Sequence, residues 1–429
     1  MPAKRSRGQQ PPKASSHPLR LDPALSPGRF RSRETMPRLS PLRNPLMYFR
    51  YRKLPDDDAF ERARRLTVMG DPLADDFALL YPELGYARAR AMLDQALDEG
   101  IEAVADAPDA LRALFADVDR PPAWVDWKRV ERGAAVMRRY APFTWLFSRV
   151  AFAQTFVNAN AGTPLYMTGS LNEKTVARRL KETARWRLEL HQPSALRRDG
   201  AAFKTVVRVR VLHALIRLHL IQSGEWDTAT LGMPIPQMDM AGANIGMFLT
   251  HSLLPRLFGA RISSQEFEDV LHLWRYQGHL IGLVEELNPP TSKEWKKVAR
   301  LLEITLKDRH DPRGETLTRS TMRAHLRREG GASDWMNHML DELDIRVSHG
   351  IYFLVNGNGI FQRMGLTQHR AWALFPSAVF PWVFAADSVR KLLPGGTFVA
   401  TELGSRYVTR SLADDIVKNA PFNPYHATT

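Results

Sequence analysis

From about residue 56 onward, apolar positions recur at intervals of three and four residues with charged positions between them, a pattern that predicts one helix after another. Trp124, Trp127, Val130 and Met137 fall near helical spacing; Pro121 and Pro122 suit the first turn of that helix, and Pro142 breaks it before a very apolar segment, 143–157. Three further helix starts are marked by Ser170-x-x-Glu173, Ser263-x-x-Glu266 and Thr291-x-x-Glu294, where hydroxyl and carboxylate satisfy backbone N–H groups reciprocally. The helix begun at Glu266 is expected to run to Asn288-Pro289-Pro290. Val207 to Val211 alternates as a strand would, but the apolar spacing continues through Ala214 and Ile216 to Ile221, and that length favours a helix. On it Val206, Arg210, His213, Arg217 and Leu220 share one stripe, so two arginines flank a histidine on a mostly apolar element. Strand-like alternation is scarce elsewhere and no internal repeat is present, so the body is expected to be all-α.

Two uncharged runs, 241–255 and 371–386, are shorter than the roughly 18–20 apolar residues that a membrane span requires, and the second contains Pro376 and Pro381. They are expected to be buried helices. The alternative is a surface patch that touches a bilayer or admits an apolar substrate.

Composition narrows the chemistry. The 429 residues are 44% hydrophobic, with 20 Phe, 10 Trp and 15 Met, enough bulk for one large core. The absence of cysteine excludes disulfides, thiolate zinc sites, iron–sulfur clusters, a cysteine nucleophile, and haem that is thiolate-ligated or covalently attached, so any iron must hang on His, carboxylate or Tyr. The net charge of +14 is concentrated at one end: residues 1–54 hold 13 Lys and Arg against Asp22 and Glu34, which leaves the rest at only +3. That stretch also holds nine prolines, and it reads as a disordered basic arm, 1–54, before a single domain, 55–429. Weak contact with an anionic membrane surface is expected of the arm, and nucleic-acid binding is not. No basic n-region is followed by an apolar h-region, which argues against a cleaved secretory signal and for a cytoplasmic location, at most peripheral to a membrane.

Several site types are excluded by motif: there is no HExxH, no phosphate-binding loop, no G-x-S-x-G elbow and no dinucleotide fingerprint after a strand. Asp269-x-x-His272 is a single instance of a motif that a di-iron bundle uses in pairs. His219 lies six residues past His213 and points away from it, whereas His279, between Gly278 and Gly282, sits where a flat cofactor can approach and is the second-choice ligand.

The segment Arg210-x-x-His213-Ala214-x-x-Arg217, preceded by Arg179-x-x-Glu182-Thr183 with thirty residues from Thr183 to His213, resembles the catalytic domain shared by bacterial latex-clearing rubber oxygenases and MpaB-type oxygenases. Pro234-Ile235-Pro236-Gln237-Met238-Asp239 and Trp274-Arg275-Tyr276-x-Gly278-x-x-x-Gly282 extend the likeness, which covers roughly residues 55–395. The resemblance implies a globin-like helical core enlarged by additional helices, holding haem b without covalent links, with His213 as the proximal iron ligand and dioxygen as co-substrate. It implies that Arg210 and Arg217 bind haem propionates or act as charge partners fixing the proximal helix; surface salt bridges are the alternative. Where the family carries Arg-x-x-Lys-Thr on the opposite haem face, this chain has Arg179, Glu182 and Thr183, with glutamate at the lysine position and Lys181 one residue earlier. Glu182 is then an acid or base toward bound oxygen or substrate, and Thr183 a hydrogen-bond partner of the oxygen ligand; otherwise Glu182 simply pairs with Arg178 or Arg185. The family's upstream acidic residue has no counterpart, since residues 148–165 contain no Asp or Glu. The function implied is a haem b-dependent oxygenase acting on an apolar, isoprenoid or other unsaturated lipidic substrate, with double-bond cleavage as the implied reaction and monooxygenation or peroxidase chemistry left open. Two rival readings are a non-catalytic haem- or lipid-binding helical protein and an interaction protein that uses the basic arm on anionic surfaces.

Overall fold

The computed structural model describes residues 17–35, 55–157, 159–168, 175–306, 311–326 and 334–413. Among the described residues the chain is all-α, as its periodicity predicts; the one non-helical pairing is an isolated bridge between Phe30 and Leu306. The first half comprises α1 (Asp57–Thr67), α2 (Pro72–Ala78), α3 (Tyr81–Leu84), α4 (Tyr86–Glu99), α5 (Asp109–Val118), α6 (Trp127–Arg139), α7 (Ala141–Gln154), α8 (Ala159–Met167) and α9 (Val176–Leu190). The second comprises α10 (Ala201–Gln222), α11 (Thr228–Leu231), α12 (Gln237–Leu257), α13 (Ser264–Leu280), α14 (Ser292–Thr305), α15 (Pro312–Arg323), α16 (Asp334–Arg363, bent at Gly357), α17 (Phe375–Leu392) and α18 (Gly396–Ala413).

Local chemistry sets most of these boundaries. Ser263 and Glu266 form the full capping box at α13, and Thr291 accepts from the Glu294 amide at α14. The Ser170–Glu173 start lies outside the described residues. The helix expected at Pro121 opens instead at Trp127, because Asp126 accepts from the amides of Lys128 and Arg129 and so caps it there. The helix expected to reach Asn288 stops at Leu280: Gly282 turns the chain with φ +85°, and only a short 3-10 turn, Glu285–Leu287, follows. Val207 to Val211 is helical, within the 22-residue α10.

The main core gathers Phe77, Phe115, Phe203, Trp274 and Tyr276 between the N-terminal helices and α10, α12 and α13. Helix α13 lies against α6 where Gly133 removes a side chain; a Cβ there would meet the backbone of Asp269 and Val270. A second core, around Phe147, Phe258, Tyr352 and Phe361, joins α7 to α16.

Two expectations need correcting. Residues 17–35 are not a solvated arm: Leu19 and Phe30 are buried, and the fully buried Arg29 pairs with Asp239 on α12 at 2.8 Å. Arg64 adds bonds to the carbonyls of Pro23 and Leu25, so local charge and apolar anchors hold the segment on the body. The run 371–386 is not a buried helix either. It lies mostly in α17, where Pro376, Asp387 and Arg390 are the buried residues, and the stretch Arg370–Leu392, 23 residues, is long and apolar enough to cross a membrane by length and composition. The run 241–255 lies in α12, where Phe248, His251 and Ser252 are buried but Leu253 is exposed.

Candidate active site

Helices α9, α10, α12 and α13 enclose a cavity of about 220 Å³. Glu182, Thr183 and Trp186 enter it from α9, Val206, Val209 and His213 from α10, and Met240, Ala243, Asn244 and Met247 from α12. Trp274 and Gln277 of α13, with Ile281 just beyond it, complete the wall. The two sequence blocks thirty residues apart therefore converge on one mostly apolar space.

The imidazole of His213 lines this space, and its Nδ1 is buried without a hydrogen-bond partner. Burial, reinforced by the nearby Arg217 cation and opposed by Asp71, pushes it down to about 3. The ring is therefore neutral at physiological pH, the form that binds metal. An unpartnered neutral imidazole among aromatic and thioether side chains fits an iron porphyrin in its donor chemistry.

Glu182 is buried, and Arg179 Nη1 lies 2.7 Å from its carboxylate while Arg178 Nε lies at 3.6 Å. It is thus paired on its own helix, with Arg178 and Arg179 and not with Arg185, which binds Glu189, and it also lines the cavity. Thr183 Oγ1 donates to the Arg179 carbonyl at 3.0 Å, which leaves the hydroxyl oxygen able to accept from a neighbour.

Arg210 and Arg217 do not enter the cavity. Arg210 binds Asp71 through Nε (2.6 Å) and Nη2 (3.1 Å) and Asp117 through Nη1 (2.7 Å). Arg217 binds Asp75 at 2.7 Å and the Ile235 carbonyl at 3.1 Å. All four carboxylate–guanidinium partners other than Asp117 are buried, which excludes surface salt bridges and leaves no free fork for a propionate; the pairs fix α10 to α2. The Gly278-x-x-x-Gly282 spacing serves the same frame. A Cβ at Gly282 would strike Asp71 and Arg210, and one at Gly278 would meet Asn288 and Asn244, so the glycines admit polar side chains and not a flat cofactor. Gln237 of the Pro-Ile-Pro-Gln turn clasps this region, donating to the carbonyls of Gly70 and Gly282 and accepting from the Val284 amide, each at 2.9 Å.

The other histidines considered as ligands stand apart. His279 Nε2 lies 3.3 Å from the Asp117 carbonyl, His272 Nε2 accepts from the Asp126 amide, and His219 is exposed. Sequence reasoning missed Trp186 and Asn244, quoted Trp274 only as part of a motif without placing it in the cavity, and missed Arg187, one helical turn after Thr183. Arg187 is fully buried, bonds the hydroxyls of Ser148 and Thr250, and has no carboxylate partner among the described residues; burial lowers it to about 9, so it stays charged. The spacing Glu182–Trp186 and Thr183–Arg187, each i to i+4, was the available signal.

A second apolar cavity, about 440 Å³, lies between α7 and α12 and shares Ala243 and Met247 with the first. Gly242 and Gly246 line it, and a Cβ at either would meet open space.

Comparison with known proteins places these residues in context. Residues 144–398 match the family model described as "ER-bound oxygenase mpaB/B'/Rubber oxygenase, catalytic domain". A rubber oxygenase from Streptomyces sp. (strain K30) is 27% identical over 234 residues, 52% of this chain and 54% of that protein, so the chain spans about half the length of the curated relative it matches. The solved structure of latex clearing protein LCP in the closed state superposes with a TM-score of 0.61 at 20% identity, over 80% of this chain and 91% of that one, a likeness of fold.

Proposed function

The chain belongs to the MpaB and rubber oxygenase catalytic-domain family, and on that premise we propose that it is a haem b-dependent oxygenase of apolar, unsaturated substrates. The observation that carries this reading is the convergence of His213 with Glu182 and Thr183 on one apolar cavity.

Haem b, when bound, supplies the iron at which dioxygen is activated. His213 would hold that iron, its imidazole kept neutral by burial. Arg210 and Arg217 orient the histidine's helix through Asp71 and Asp75; Arg187, a buried cation with no carboxylate partner among the described residues and bonded to Thr250 of the second cavity, would suit a propionate. Trp186, Trp274, Met240 and Met247 exclude water. Glu182 would pass a proton to or from substrate at its carboxylate, with Arg179 setting its orientation, and the Thr183 hydroxyl would fix the position of a neighbouring acceptor or donor. The second cavity supplies an apolar path for an extended chain, made wide by Gly242 and Gly246.

The test is a haemochrome assay of the purified protein together with dioxygen uptake on squalene, an isoprenoid polyene. Stoichiometric haem with squalene-dependent uptake supports the reading; haem without uptake under any reductant supply reduces the protein to a haem carrier, and haem-free folded protein overturns the reading altogether.

A further inference from the structure

We propose that a third cavity, separate from the one that His213 lines, binds a phosphate group that carries a proton, as inorganic phosphate or as a phosphate monoester. The cavity, about 290 Å³, lies between the end of α15, the middle of α16 and the turn that follows α16. It shares no lining residue with either cavity described above, so the proposal stands apart from the haem reading. Its wall is polar: Arg323 closes α15, His349 belongs to α16, and Thr367, Gln368 and His369 come from the turn.

His349 is the buried part of the site, only 4% exposed, and its Nδ1 lies 2.8 Å from the Ile345 carbonyl. A carbonyl oxygen can only accept, so Nδ1 carries the ring's proton. Burial, joined by His369 and the Arg149 and Arg323 cations, holds the ring down to about 4 against that bond, and it is neutral. Nε2 is therefore a bare acceptor, without a polar partner among the described residues, on a side chain that lines the cavity. His369, at φ +65° in the left-handed region, brings its ring edge to face with that of His349 at 5.4 Å.

Charge selects an anion. The exposed guanidinium of Arg323 has no carboxylate partner among the described residues. The carboxylates on this stretch of α16 are already engaged: Glu342 with Arg346 at 3.4 Å and Asp344 with Arg149 at 2.9 Å. Asp341 accepts from the Leu326 amide at 3.1 Å and lies 3.8 Å from His325 Nδ1. A metal ion is disfavoured, because no three His, Asp or Glu side chains among the described residues are grouped to hold one.

A bare imidazole acceptor beside a free guanidinium asks for a ligand that is anionic and still donates a hydrogen bond. A protonated phosphate does both: its charged oxygens accept from Arg323, Gln368 and Thr367, and its P–OH donates to His349 Nε2. Sulfate has the same shape and charge class but no proton to give.

The experiment is calorimetric titration of the full chain at about pH 6, where a phosphate monoester is half protonated. The probes are inorganic phosphate, phenyl phosphate and sulfate at constant ionic strength. The expected result is one phosphate group bound per chain, with sulfate at least about tenfold weaker. Arg323→Gln should weaken phosphate about tenfold with unchanged circular dichroism, and His349→Leu should reduce phosphate to the level of sulfate. Arg323 is exposed, so its variant keeps the test decisive if His349→Leu does not fold. Tighter binding of phenyl phosphate assigns the site to a monoester, and tighter binding of inorganic phosphate assigns it to the free ion. No saturable binding up to about 10 mM phosphate, sulfate binding as tight as phosphate, or undiminished binding by Arg323→Gln would each overturn the proposal.

Discussion

Arg210 grips Asp71 with a two-bonded fork, Nε to Oδ2 at 2.6 Å and Nη2 to Oδ1 at 3.1 Å, three residues before the histidine that faces the cavity. The imidazole's setting thus depends on an ion pair formed between α10 and α2, outside the cavity itself. Removing one partner strands a buried charge, and Asp71→Asn or Arg210→Leu is expected to cost about 3–5 kcal/mol of stability. Arg210→Lys keeps the charge but not the fork and should cost less. Urea unfolding measures both, and a loss under about 1 kcal/mol for Arg210→Leu would contradict a framing role.

Glu182 distinguishes proton handling from simple helix pairing. Glu182→Gln keeps the volume and most contacts with Arg179 while losing the titratable carboxylate. Haem content should be unchanged and turnover should fall by about 10²–10⁴. Undiminished turnover would mean that the carboxylate only pairs with Arg178 and Arg179.

Gly246 offers a test of the second cavity. Leucine there enters open space, so Gly246→Leu should stabilise α12 by about 0.5–1 kcal/mol while filling the path for substrate. KM for a long polyene should rise while haem content stays constant. A KM that does not move places the substrate elsewhere.

The sequence made the site's two blocks visible because their residues lie at helical spacing on single helices. It also showed the all-α class, since capping and periodicity are local. What it hid was non-local: nothing near Arg210 or Arg217 marks Asp71 and Asp75, some 140 residues upstream, as their partners. The same limit misplaced residues 17–35, whose basic composition concealed that Arg29 has a buried carboxylate waiting on α12. Apolar content likewise predicts that 371–386 avoids water but not what covers it, and the described fold leaves Trp382 and Leu392 outside. Gly282 was read as space for a cofactor because a missing side chain does not state what fills its place.

Stability should fall with acid. Burial holds His191 near 3, and His272 and His349 near 4, all below the ordinary 6.5. The unfolded chain takes up these protons near pH 6.5 and the folded chain does not, so their contribution is present above that pH and lost as pH drops toward 4. Asp75 works the other way: burial raises it to about 6 despite Arg217, so its contribution is present below about 4 and lost as pH rises through 6. Three histidines outweigh one aspartate. Unfolding free energy should drop between pH 7 and 5, and Asp75→Asn should make the drop steeper; a flat profile in the parent protein would contradict these assignments.

The ligand role of His213 is tested most directly by the visible absorption spectrum of the purified protein beside that of His213→Ala, with circular dichroism to confirm that both are folded. The account predicts an intense Soret band in the parent that is lost or displaced in the variant, with imidazole added to the solution restoring part of it. A folded parent without a Soret band, or a variant whose band is identical in position and intensity, would contradict it.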